Sequence, residues 1–79
     1  MARFYFHLHN DIDAPDPEGT EFPDFEAAFA SAKSQARQLA GDLVKEEGRL
    51  PLAHRIDIED ALHRVLDTVF IRDVVTVEG

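Results

Sequence analysis

From Phe25 to Glu47 the apolar residues fall on one stripe with the 3.6-residue period of an α-helix, made of Phe25, Ala28, Phe29, Ala32, Ala36, Leu39, Ala40 and Leu43. Both ends of that stripe are punctuated. Pro23-Asp24 opens it, with Asp24 as N-cap acceptor and Glu26 in the electropositive first turn. Gly48 stands just past Glu47 as a C′ residue, and Pro51 follows. The spacing therefore predicts one helix over Phe25–Glu47. Ala28, Ala32, Ala36 and Ala40 stand four apart and give it a ridge with little side-chain bulk, which permits close approach to a sheet or another helix. Gly41 costs about 1 kcal/mol relative to alanine in a helix interior, a weak spot. An amphipathic face of this length must be covered, and the rest of the chain decides what covers it.

The rest reads mostly in period two. Phe4, Phe6 and Leu8 point one way and Arg3, Tyr5, His7 and His9 the other, the pattern of a half-buried strand. Asp16-Pro17-Glu18-Gly19 is a type I turn signature that returns the chain through a short antiparallel strand, Thr20–Phe22. The intervening loop, Asn10–Pro15, is longer than a tight hairpin needs. His54–Glu59 alternates again with Ile56 and Ile58 on the buried side, His54 sharing their parity, and Asp60-Ala61 makes a plausible turn centre. Leu62–Ile71 is a further strand apolar on both faces, Leu66 and Phe70 on one and Val65, Val69 and Ile71 on the other. Val74–Val77 is β-prone and suits a fifth strand or an arm. The predicted fold is α+β in β-β-α-β-β order: a single domain spanning residues 1–79, one antiparallel sheet with one long helix packed on one face. Its predicted core is Phe4, Phe6, Leu8, Phe22, Phe25, Phe29, Leu39, Leu43, Ile56, Ile58, Leu66 and Phe70.

Composition excludes several classes. The chain has 79 residues, no cysteine and a net charge of −8. A chain of this length buries roughly 60–65% of its unfolded surface, so it has only modest stability alone and neither a disulfide nor a thiolate metal site to reinforce it. The eight basic residues are scattered from Arg3 to Arg72. That argues against nucleic acid and against an anionic membrane surface, both of which need clustered cations. No stretch approaches the ~20 apolar residues of a membrane span. The opening Met1–Phe6 reads as a strand without the apolar core of a signal peptide, so the expected location is the cytoplasm.

Candidate chemistry is sparse. Between Asn10 and Glu26 lie seven carboxylates and no basic residue. Turn and cap duties explain much of that run. Asp11, Asp13, Asp16 and Glu18 offer hard oxygen ligands, but prolines at 15 and 17 and Gly19 out of register break any EF-type pattern. His7 and His9, two apart on a strand, share a face and could chelate a transition metal given a third ligand; His63 could share that face. His7, His9, Asp11 and Asp13 are thus weak metal candidates, and no metal or other cofactor is assigned. There is no cysteine, Ser31 and Ser34 sit within the helix without a nucleophile elbow, and four scattered glycines build no phosphate loop. No catalytic residue is assigned.

The sequence resembles a domain-of-unknown-function family of short, mostly alphaproteobacterial proteins. The resemblance rests on Arg3-Phe4-Tyr5-Phe6-His7, on the turn Asp16-x-Glu18-Gly19-x-Glu21, and on Pro23-Asp24-Phe25-Glu26-Ala27-Ala28. It continues through Ala36-Arg37, His54-Arg55-Ile56-Asp57-Ile58, Arg64-Val65-Leu66 and Thr68-Val69-Phe70-Ile71-Arg72-Asp73. Two departures fall at the last turn and strand. The family's Asp-x-x-Gly flavour there is Glu59-Asp60-Ala61 without glycine, and its Val-Pro-Phe is Val69-Phe70-Ile71. The resemblance implies the fold and carries no activity.

Tyr5, His7, Val65, Val69 and Ile71 would form an apolar patch with polar tips on the sheet face away from the helix, and patches of that kind mark interfaces. The expected function is a small acidic, non-catalytic protein-interaction module, partnering itself as a homodimer or another protein. One alternative is a small metal-binding protein using His7 and His9 or the Asp11–Glu18 loop. The other is an acidic, antitoxin-like regulator of a basic partner.

Overall fold

The computed structural model describes residues 1–9, 14–76 and 78. Its elements are β1 (Ala2–His9), β2 (Thr20–Phe22), α1 (Phe25–Glu47), β3 (Arg55–Glu59), β4 (Val65–Phe70) and a short α2 (Ile71–Val74). The strands form one antiparallel sheet in the order β2-β1-β3-β4, an α+β architecture with α1 laid across one face. Helix α1 begins and ends where its caps dictate. The Asp24 carboxylate accepts the Ala27 N–H at 2.8 Å. Gly48 takes the left-handed conformation (φ 67) and donates its N–H to the Val44 carbonyl at 2.9 Å.

The alanine ridge is the helix's contact surface. Ala28 and Ala32 have no solvent exposure, Ala36 1% and Ala40 3%. Ala28, Ala32 and Ala36 press on Phe4, Ile56, Ile58 and Val69 of the sheet, which are buried. With no long side chain between the layers, the larger apolar residues Phe6, Leu8, Phe22, Phe25 and Phe29 fill the margins. Their rings touch in sequence, Phe4–Phe22 at 6.2 Å, Phe6–Phe22 at 5.7 Å and Phe25–Phe29 at 5.8 Å between centroids. Leu39 and Leu43 are half-buried on the flank.

Strand β4 departs from the expected pattern, and one irregularity explains the departure. Ile58 pairs with Asp67 but the next residue, Glu59, pairs with Val65, leaving Leu66 as an extra, bulged residue. A bulge inverts the alternation beyond it. Val65 therefore faces away from α1 and is exposed, while Val69 lies opposite Ile56 in the core at 2% exposure. Leu66, expected in the core, is 45% exposed. Phe70, also expected there, pairs with Arg55 on the far face and lies under the Arg72 guanidinium, 3.9 Å from its centroid. Ile71 is buried, but as the first residue of α2. The expected strand over Leu62–Ile71 is shorter at both ends. Leu62 and Arg64 give their N–H groups to the Asp60 carboxylate and so belong to the turn, and Asp73 takes the Phe70 N–H where α2 begins. Val74 closes α2, Val75 and Thr76 are in no regular element, and Val77 lies outside the described residues, so no fifth strand forms among the described residues.

Candidate functional site on the open face of the sheet

The sheet face opposite α1 carries Tyr5, His7 and His9 from β1 against Glu59, Asp57 and Arg55 from β3, in that register. The histidine–carboxylate contacts run diagonally across it. His7 Nε2 lies 3.2 Å from Glu59 Oε1, and His9 Nε2 lies 3.0 Å from Asp57 Oδ2. Asp57 Oδ1 also accepts the Thr68 hydroxyl at 2.8 Å and faces Arg55 Nε at 3.5 Å. Glu59 Oε1 takes a second histidine, His63 Nδ1 at 3.4 Å, whose ring lies 5.0 Å from that of Tyr5. The Asp57 and Glu59 side chains are sheltered, at 13% and 15% exposure.

His63 reaches Glu59 only because the β3–β4 turn takes an unusual backbone. Its φ is 61°, left-handed, a conformation rare for residues other than glycine though histidine visits it more than most. It stands three after Asp60, where an Asp-x-x-Gly turn would carry its glycine. Asp60 organises the turn by accepting the Leu62 and Arg64 N–H groups and the Arg64 Nε at 2.8 Å. These contacts, the Arg64 backbone N–H foremost, hold the Asp60 carboxyl below the usual carboxylate range against the opposing effect of lost hydration.

The donor atoms of His7, Glu59 and His63 lie within 4.8 Å of one another, beside a cleft of about 300 Å³ lined by His7, His9, Pro15 and Glu59. The two outer rings are prepared differently. His7 Nδ1 accepts the Asp16 N–H at 3.1 Å, which places the proton of a neutral ring on Nε2, pointing at Glu59. A metal-ligating histidine has the reverse arrangement, its second N–H donated outward and a lone pair facing the ion. His63 also directs a ring nitrogen, Nδ1, at Glu59, and its side chain is 64% exposed. The expected chelate of His7 with His9 does not assemble, because their Nε2 atoms go to different carboxylates. Asp11 and Asp13 lie outside the described residues.

Of the expected interface residues, Tyr5, His7 and Val65 lie on this face. Val69 and Ile71 do not: the bulge and the start of α2 turn them into the core, at 2% and 1% exposure. Asp57 and Glu59 are the residues that sequence reasoning passed over as site members, while His63 was read as able to share the face of His7 and does so. The alternation of Arg55, Asp57 and Glu59 against Ile56 and Ile58 carried the signal for both.

Asp16 serves as a latch. Its carboxylate accepts the Phe6 N–H at 3.2 Å and the Gly19 N–H at 3.0 Å. It thereby fills the gap on the β1 edge between the Leu8–Ala14 bridge and the β2 pairing. Arg3 donates to the Glu18 carbonyl at 2.8 Å and meets Glu21 at 3.4 Å. Gly19 has φ 69, and a Cβ there would sit 2.8 Å from the Phe4 carbonyl and 2.9 Å from the Tyr5 ring. The two N-terminal motifs, Arg3–His7 and Asp16–Glu21, thus lock into each other. A model for a domain of unknown function, DUF6894, matches residues 3–72. The chain belongs to the DUF6894 family. That span takes in the latch and the whole histidine–carboxylate lattice of this DUF6894 chain. No curated protein and no solved structure matches it.

Proposed function

We propose that this DUF6894 domain is a non-catalytic protein-interaction module of the bacterial cytoplasm, acting without a cofactor and self-associating through the β3–β4 end of its open face. One observation carries the reading. Leu62, Val65 and Leu66, within five residues of one another, are 71%, 55% and 45% exposed. Large apolar side chains grouped in this way mark a contact surface. The adjoining lattice supplies both signs of charge, as a self-complementary two-fold contact requires. Glu59 and Asp57 are already engaged by imidazoles, and Ser31 and Ser34 sit on α1 across the sheet, an arrangement that favours binding over catalysis.

Size-exclusion chromatography with light scattering tests this. The unaltered protein is expected to run as a dimer at high micromolar concentration, and Val65→Glu as a folded monomer. A strict monomer, or a dimer indifferent to both Val65→Glu and Leu62→Glu, would refute it. A divalent-metal site at His7, Glu59 and His63 is the second reading, favoured by their convergence and opposed by the His7 hydrogen bond to Asp16. Amide shifts confined to these residues on adding Zn²⁺ would support it. The acidic-regulator reading has less support, since Asp16, Asp24, Asp60, Asp67 and Asp73 are each occupied by backbone N–H groups of this chain.

A further inference from the structure

On the opposite side of the molecule, a groove of about 470 Å³ runs between the second half of α1 and the segment around α2. Ala40, Gly41 and Val44 line it from the helix, and Leu50 and Val74 from the facing chain. Among the described residues nothing lies within 4 Å of where a Gly41 Cβ would be, so no contact between them requires glycine there. The unfavourable glycine of the helix interior nevertheless stands at the floor of this groove, where any side chain would intrude.

The charges around it are the second observation. Of the eight basic residues, Arg3, Arg49, Arg55 and Arg64 have carboxylate partners, while Lys33 and Arg72 lie over the Phe29 and Phe70 rings. Arg37 and Lys45 have neither among the described residues, and both line this groove. Lys45 in the last turn complements the helix dipole, and Arg37 gives only its Nε to the Val74 carbonyl, at 3.4 Å. In a chain of net charge −8, the two cations with neither a carboxylate nor a ring partner among the described residues both line one apolar groove.

We propose that this groove binds a medium-chain fatty acid anion, the acyl chain on the Ala40–Gly41–Val44 floor and the carboxylate on one of the two cations that flank it, Arg37 or Lys45. The wall from α1 has its backbone hydrogen-bonded within the helix, and the polar side chains that it brings to the groove are cationic. That suits a ligand with one anionic end and an unbroken apolar chain better than an extended peptide, which needs backbone partners along its length.

The test is titration of the full chain with decanoate, followed by amide NMR. N-decanoyl-N-methylglucamine, the same acyl chain on an uncharged head, serves as the control. Decanoate should give saturable shifts centred on Ala40, Gly41, Val44 and Val74, with Kd below about 1 mM and at least about tenfold tighter than the control. Arg37→Gln combined with Lys45→Gln should remove that preference. Gly41→Met, which fills the groove and suits a helix, should keep the circular dichroism spectrum and lose binding. Equal binding of both probes, no saturation by about 1 mM, or undiminished binding by folded Gly41→Met would each overturn the proposal. So would shifts at these amides on raising protein concentration without decanoate, which would assign the groove to a second copy.

Discussion

Val69 and Val65 stand on one strand and were expected on one face; the bulge at Leu66 separates them, and substitution measures that separation. Val69 is 2% exposed, opposite Ile56 and in the cluster that meets the alanine ridge. Val69→Ala removes two buried carbons, about 1.6 kcal/mol by transfer. The cavity left behind raises the loss to about 2–3 kcal/mol. A chain of this length has a total stability of about 4–12 kcal/mol, so the variant should fold, with Tm lower by about 10–20 °C. Val69→Glu places a carboxylate between the sheet and the ridge, in a cluster whose described members are apolar. The cost of burying that charge should leave the chain unfolded at neutral pH. Val65 is 55% exposed, and Val65→Glu should change monomer stability by no more than about 0.5 kcal/mol. Thermal and urea unfolding followed by circular dichroism, at concentrations low enough to leave monomers, read all three. A cooperatively folded Val69→Glu, or a larger loss for Val65→Glu than for Val69→Ala, would put Val69 on the open face and refute the bulge.

Gly19 and Gly48 share a left-handed backbone (φ 69 and 67), but only Gly19 has atoms against it. Gly19→Ala should cost about 1–3 kcal/mol and Gly48→Ala about 1 kcal/mol in urea unfolding, and equal losses would mean that the approach of Phe4 and Tyr5 is immaterial. Asp60 has its folded pKa depressed, so its contribution is present above the unfolded carboxylate range and is lost as pH falls through the lower folded value. Asp60→Asn should therefore flatten the acid side of the pH–stability profile below about pH 4 and leave the slope near neutrality unchanged; an unaltered acid limb would count against the turn as described.

The helix was legible to the residue. Its stripe, its Asp24 cap and its Gly48 terminus are local signals, and α1 spans Phe25–Glu47 as they predict. The alternation of β1 and β3 was equally plain. It placed Phe4, Ile56 and Ile58 in the core and Tyr5, His7 and His9 opposite, because side-chain direction along an uninterrupted strand depends only on parity. Beyond Asp60 that rule stops working. One unpaired residue reverses every later side chain, and whether Leu66 is unpaired depends on how β4 meets β3, not on β4 alone. Tertiary pairing also brought His7 and His63, far apart in sequence, onto the same Glu59 oxygen. It put His63 in a backbone conformation that no local preference demands, and it gathered Arg37 and Lys45 beside Val74. Local sequence determined which segments are helix and strand and most of what they bury. Tertiary structure decided which charges meet and which are left without a partner, since those depend on contacts between residues that the chain itself holds far apart.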